Sequence, residues 1–291
     1  MKKYLIVILF LNLNFLSAQN SGLIFLERSN SVRSSAMGST KIISNDFIST
    51  ISNPSLLMNF QKNSSQVSYF ILPFAASQNA FSLNLYKGNI SSNLFFISHK
   101  INEIEIREKP GDLIGTTSLS DFALGTSIAY EIDSTFSVGV NLKFLHEKLF
   151  IDASTGYGID FGIYKIFDNE IALAFTLNNF GEMDNFRNEK ILLPSSISFA
   201  TSKLFLFEEF KSTTEIETDY FLKNKNTYFG IGNEIEYKNI FGRIGYQIGY
   251  NSRWFTFGFG AKLKNIQVDY SYQPLKNIIG EEHGISFLIN F

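Results

Sequence analysis

Apolar and polar residues alternate with a period of two along most of this chain. Residues two apart share one face of a strand. The pattern therefore predicts strands with one greasy face and one small or polar face. The C-terminal stretch shows it most cleanly: Ile285, Phe287, Ile289 and Phe291 alternate with Gly284, Ser286, Leu288 and Asn290. Phe136, Val138, Val140, Leu142 and Phe144 stand in the same way against Ser137, Gly139, Asn141 and Lys143. Phe255, Phe257, Phe259, Ala261 and Leu263 stand against Thr256, Gly258, Gly260 and Lys262. The alternation recurs over residues 171–178, 243–250 and 266–272. Such runs argue for strand over helix.

About fourteen strands are predicted, an even number as in single-chain bacterial barrels. They begin near residues 65, 79, 90, 122, 135, 156, 170, 195, 213, 227, 240, 254, 266 and 283. Connections support the count. Lys87-Gly88-Asn89, Asp133-Ser134, Asp168-Asn169, Lys238-Asn239 and Lys264-Asn265 read as short turns on one side. The connections near 100–121, 147–155, 179–194 and 274–282 are longer and fall on the other side. Short periplasmic turns and long outer loops are the barrel pattern. One connection, near 203–212, is too long for its place. The fold class is all-β, a transmembrane antiparallel barrel in the outer membrane of a Gram-negative bacterium. A closing strand that ends on an aromatic residue makes Phe287 and Phe291 the expected C-terminal insertion signal.

Composition agrees. The chain has 31 Phe and 13 Tyr among 291 residues, and a net charge of −2. That balance gives no footprint for nucleic acid. Beyond the N-terminus no segment reaches the ~20 apolar residues of a membrane helix. There is no cysteine, so disulfides and lipoprotein processing play no part. Lys2 and Lys3, the apolar run from Tyr4 to Leu16, and Ser17-Ala18 read as a cleaved export signal over residues 1–18. The other reading, an N-terminal anchor, is weakened by the short run and by Asn12 and Asn14 within it. Residues 19–64 do not alternate and are rich in Ser and Asn. They are expected inside the barrel of residues 65–291 or at its periplasmic mouth, because irregular backbone at membrane depth must be buried in protein or line a wet cavity.

That N-terminal stretch carries a resemblance. Arg33-Ser34-Ser35-Ala36-Met37-Gly38-Ser39, then Asp46, then Asn53-Pro54-Ser55-Leu56-Leu57 resembles the signature of the PorV/PorQ family of FadL-like outer-membrane proteins. Ser39 and Ser55 depart from the family's usual Gly and Ala. Gly156-Tyr157-Gly158-Ile159-Asp160-Phe161-Gly162, Asn178-Asn179-Phe180-Gly181 and Leu193-Pro194 follow in the family's order. Arg243-Ile244-Gly245-Tyr246, Gly258-Phe259-Gly260 and Val268-Asp269-Tyr270-Ser271-Tyr272 look like its closing strands. Asn-Pro-Ser-Leu-Leu leans toward PorQ and Asp-Tyr-Ser-Tyr toward PorV. The resemblance implies an N-terminal hatch over residues 19–64, with Arg33, Met37, Gly38, Asp46, Asn53 and Pro54 as its structural residues. It implies a non-enzymatic accessory of type IX protein secretion, with secretion-system proteins or cargo as partners beside outer-membrane lipid. The alternative it implies is a FadL-like channel for hydrophobic small molecules, entered through a hatch and a side opening.

Candidate chemistry is sparse. The inward faces hold Glu131, Lys143, Asp160, Glu215, Glu217, Asp219, Glu234, Glu236, Arg243, Lys262 and Asp269. Buried charge is costly unless paired, so these read as a satisfied lumen, with Arg243 beside Asp269 or Glu234 a plausible pair. The sharper reading is a polar path or a seat for the hatch, for which Asp160, Glu234, Arg243, Lys262 and Asp269 are the candidates. His99, His146 and His283 lack metal-ligand spacing, and no metal or cofactor is expected. No Gly-x-Ser-x-Gly elbow is present. Gly258-x-Gly260 lies within an alternating strand, where interior glycines are the simpler reading. Tyr130, Tyr164, Tyr237, Tyr250 and Trp254 are expected in outward aromatic belts. The loops near 100–121 and 179–194, with Leu113, Ile114 and Phe186, are the candidate partner surfaces.

Overall fold

The computed structural model describes residues 22–108, 110–185 and 191–291. The expected export signal and Phe186 lie outside them. Fourteen antiparallel strands close into one barrel. They are β1 (Ser64–Leu72), β2 (Ala76–Lys87), β3 (Ile90–Ile106), β4 (Gly115–Asp133), β5 (Phe136–Leu149), β6 (Asp152–Phe167) and β7 (Ile171–Met183), then β8 (Ser196–Leu206), β9 (Phe210–Phe221), β10 (Thr227–Tyr237), β11 (Ile240–Ile248), β12 (Phe255–Leu263), β13 (Ile266–Pro274) and β14 (Glu281–Asn290). Each strand pairs with its neighbours in sequence, and β1 meets β14, with Val67 opposite Phe287. The closed ladder leaves no strand edge, as a sheet in lipid requires.

The alternation sorts residues as expected. Ile285, Phe287 and Ile289 face out while Gly284, Ser286 and Leu288 face in. Three connections differ from the sequence reading. The one near 203–212 contracts to residues 207–209, a short turn on the correct side. Those near 100–121 and 147–155 contract to 107–114 and 150–151. The physical reason is shared: a hydrogen-bonded ladder can continue beyond the lipid, where its outward face has no need to be apolar.

Strand lengths make the barrel lopsided. β11, β12 and β13 have nine residues each, whereas β3 has 17 and β4 has 19. At ~3.4 Å per residue and a tilt of ~40°, nine residues span ~23 Å, close to the ~25 Å apolar band. The long β3–β4 hairpin stands roughly 20 Å clear of that band on the same arithmetic. The turns at the Asn290 end are all short, so the excess lies at the opposite, outer end.

Residues 22–63 fill the bore. They form single turns over Ile24–Glu27, Phe47–Ile51 and Pro54–Asn59, and the short helix α1 (Val32–Ala36). Ser31 caps α1 by accepting the Ser34 N–H at 2.9 Å. Asn53 caps the last turn by accepting the Ser55 N–H at 3.1 Å, with Pro54 in the first position. The segment is less polar than its composition suggests. Val32, Met37, Ile42, Phe47, Ile48, Leu56 and Leu57 are wholly buried. Phe25, Ile48 and Ile51 pack with Phe95, Ile97 and Leu145 of the inner wall. The protein's apolar core therefore sits within the bore.

Candidate functional site: the filled bore and its wall

The inner wall is shaped to receive the N-terminal segment. Met37 and Gly38 lie against Gly232 and Gly245, whose missing side chains let the two backbones meet. Thr256 ties this contact, its Oγ1 donating to the Ala36 carbonyl at 2.9 Å and accepting the Gly38 N–H at 3.0 Å. Gly38 has φ +74°, and a Cβ there would sit 2.6 Å from the Ile231 carbonyl oxygen. A second cradle receives Asn53 and Pro54: the Asn53 Oδ1 rests on Gly162, and Gly139 lies beneath Pro54. The Asn53 amide donates to the Ile42 carbonyl at 2.8 Å.

Charge holds the same segment. Arg33, 3% exposed, clasps Glu234 through Nε and Nη2, both at 3.0 Å, and reaches Glu215 at 2.9 Å and Ser44 at 2.6 Å. Arg243 donates to the same Glu234 at 2.5 Å and to Asp269 at 2.6 Å. Lys41 pairs with Asp219 at 2.7 Å and Glu217 at 3.8 Å. Burial alone depresses the Lys41 ammonium, but those two carboxylates raise its pKa above the ordinary lysine value. Arg28 forks onto Glu282 at 2.7 and 3.0 Å. Asp46 accepts from Ser31 at 2.5 Å, and burial, then the nearby Asp269, raises its pKa to about 6.

The structure thus brings Arg33, Glu234, Arg243 and Asp269 into one cluster, with Asp46 close by. Lys262 stands apart, exposed at the mouth of a cavity of about 650 Å³ at the short-turn end. Glu131 and Glu236 also line that mouth. Tyr164, expected in an outward belt, faces in and lines the cavity, because it shares the inward face of β6 with Asp160 and Gly162. Tyr250 is likewise drawn off the belt, stacked at 3.9 Å on Tyr228. Sequence reasoning missed Arg28, Lys41 and Thr256. A signal was present for Lys41: Glu215, Glu217 and Asp219 on one face of one strand call for cations opposite.

Asp160 organises a second place. Pairing of β6 with β7 jumps from Ile159–Phe180 to Phe161–Leu177, leaving a bulge opposite Asp160. Asp160 binds Lys143 Nζ at 2.7 Å, Asn141 Nδ2 at 2.9 Å and the Asn179 N–H at 2.7 Å. Asn179 takes a left-handed φ of 60°. Outside this point lies an apolar groove of about 640 Å³ between Leu94, Leu124, Leu142, Phe144, Tyr157 and Ile159. Gly125 and Gly158 flank Lys143 in register, so the groove floor carries little side chain. Among the described residues, no group of three or more His, Cys, Asp or Glu is arranged to hold a metal.

The fourteen-strand barrel shares its fold with solved hydrocarbon channels and with a FadL homologue. The chain is similar in structure to the Pseudomonas putida toluene transporter TodX, with a TM-score of 0.65 at 12% identity over 93% of this chain and 98% of that one. It is similar to the CymD monoaromatic hydrocarbon channel, with a TM-score of 0.67 at 14% identity over 93% and 99%. A Pseudomonas aeruginosa FadL homologue gives 0.56 at 10% identity over 91% and 98%. At these identities the likeness is one of fold. No protein-family model and no curated protein matches the chain.

Proposed function

We propose that this chain is a FadL-like outer-membrane channel for hydrophobic small molecules, with residues 22–63 as its hatch. The observation that carries this reading is the apolar groove on the outer face of β3 to β6, beside the Asp160 bulge. An apolar groove open to lipid lies directly across a glycine-thinned wall from the filled bore. A greasy solute crossing the outer leaflet collects in such a groove, and the ladder is interrupted one strand away, at the bulge between β6 and β7. The hydrocarbon channels of like fold support the choice of solute class. Binding and passage need no covalent chemistry, so the protein acts without a catalytic group. A deletion strain should take up radiolabelled toluene or long-chain fatty acid more slowly than the complemented strain. Equal uptake at limiting solute would refute the reading.

A second reading, a PorV/PorQ-like accessory of type IX secretion, draws on the N-terminal signature and on one surface. Leu113, Ile114, Phe150 and Ile151 are exposed at the tips of the β3–β4 and β5–β6 hairpins, where no lipid covers them. Affinity purification from native outer membranes separates the two: a secretion translocon in the eluate supports the accessory, and an isolated barrel supports the channel.

A further inference from the structure

On the short side of the barrel the outer loops come down to the membrane surface. Residues 222–226, 249–254 and 275–280 join β9 to β10, β11 to β12 and β13 to β14, and none of them is acidic. They carry Lys223, Lys225, Arg253 and Lys276, with Asn224, Asn226, Asn251 and Asn277 between them. The loops form one platform. Tyr228 stacks on Tyr250 at 3.9 Å, and the Lys276 N–H donates to the Ser252 carbonyl at 2.8 Å. Arg253 is spent within, over the Tyr250 ring at 5.1 Å and 3.7 Å from Glu282. Lys223 and Lys225 are exposed and make no ion pair among the described residues. Lys276 lies over the Trp254 ring at 5.9 Å, and Trp254 is fixed by its Nε1 donating to the Pro274 carbonyl at 3.0 Å. Two residues on, Ile278 is fully exposed.

We propose that this rim docks the phosphorylated sugar headgroup of an outer-leaflet glycolipid. Lys223, Lys225 and Lys276 present a cationic edge at phosphate depth, where cations near a membrane surface attract anionic headgroups. The asparagines and the Trp254 face suit a sugar. Ile278 suits acyl chains, which a free anion lacks, so the occupant is an amphiphile. The strand arithmetic selects this side: β3 to β6 carry their loops well above the headgroups, while β10 to β14 do not. The inference rests on the barrel standing in the outer membrane and not on what crosses it.

The test reconstitutes the mature protein in phosphatidylcholine nanodiscs doped with diphosphoryl lipid A, dephosphorylated lipid A or phosphatidylglycerol, and counts retained lipid by native mass spectrometry. The wild type should retain diphosphoryl lipid A over both others. Lys223→Glu/Lys225→Glu/Lys276→Glu should retain at least about tenfold less, and the Gln triple variant should fall in the same direction, separating lost attraction from added repulsion. Heat-modifiable migration on gels verifies that the variants fold, as two exposed loop positions and the half-buried Lys276 allow. Undiminished retention in both triple variants, or equal retention of phosphatidylglycerol, would overturn the proposal. Hydrocarbon uptake is not the readout, so failure here and failure of the channel reading are distinguishable.

Discussion

Arg33→Met isolates what the ion pairs contribute to holding the N-terminal segment. The wild-type cluster sets Arg33 and Arg243 against Glu215, Glu234 and Asp269. Removing Arg33 leaves Arg243 alone to face three buried carboxylates. Breaking a buried pair by deleting one partner costs about 3–5 kcal/mol. At about 1.4 kcal/mol per factor of ten, the released state gains roughly 10²-fold to a few thousand-fold in population. Hydrogen exchange read by mass spectrometry in detergent is the direct assay. Amides of residues 31–58 should exchange faster by that factor, while the wall strands keep their protection because their ladder is untouched. Adding Glu215→Gln removes an orphaned charge and should recover a substantial part of the loss. Protection of the segment unchanged within about threefold, or equal acceleration in the wall, would refute the reasoning.

Three other perturbations probe different parts. Gly38→Val adds a left-handed backbone cost of about 1–2 kcal/mol to a collision with the Ile231 carbonyl, and should loosen the same segment by hydrogen exchange without lowering barrel yield. Asp160→Ala removes the counter-ion of the buried Lys143 and the acceptor of the Asn179 N–H, and should lower the temperature at which the barrel loses heat-modifiable migration, for a cost of about 3–5 kcal/mol. Asp46 has a native pKa raised to about 6 against an unfolded value near 3.9, so the seated segment holds an extra proton between those values. The stabilisation is full below about pH 4 and is lost as pH rises through about 6. Asp46→Asn should abolish that dependence in exchange measured from pH 4 to 7, and a slope retained in the variant would exclude Asp46 as its source.

Lipid is what made the strands readable. It selects apolar residues wherever a strand crosses it, so the starts of β10, β11 and β13 fall where the alternation begins, whereas β3 alternates poorly and its start follows the Lys87-Gly88-Asn89 turn. Above the lipid that selection ends, and the outer halves of β3 and β4 hide among residues such as Glu103 and Glu105. The sequence offered Glu234 or Asp269 as a partner for Arg243 without placing either; the structure sets Glu234 opposite Arg243 across the Lys238-Asn239 turn and brings Asp269 to it as well. Arg33 was not readable as their third partner, since an aperiodic segment carries no register. Tyr164 misled because an aromatic ring suits either an interface or an apolar patch of the bore.

The order of the chain and the order of its contacts run opposite ways. Arg28, Arg33, Met37 and Gly38 are made early, yet Glu282, Glu234, Gly232 and Gly245 arrive late. The seam between β1 and β14 seals the cylinder, and a sealed cylinder gives these residues no side entrance. The seats of the leading stretch are therefore incomplete until β10 to β14 are in place, and any delay in β14 prolongs a stage in which the future core is naked.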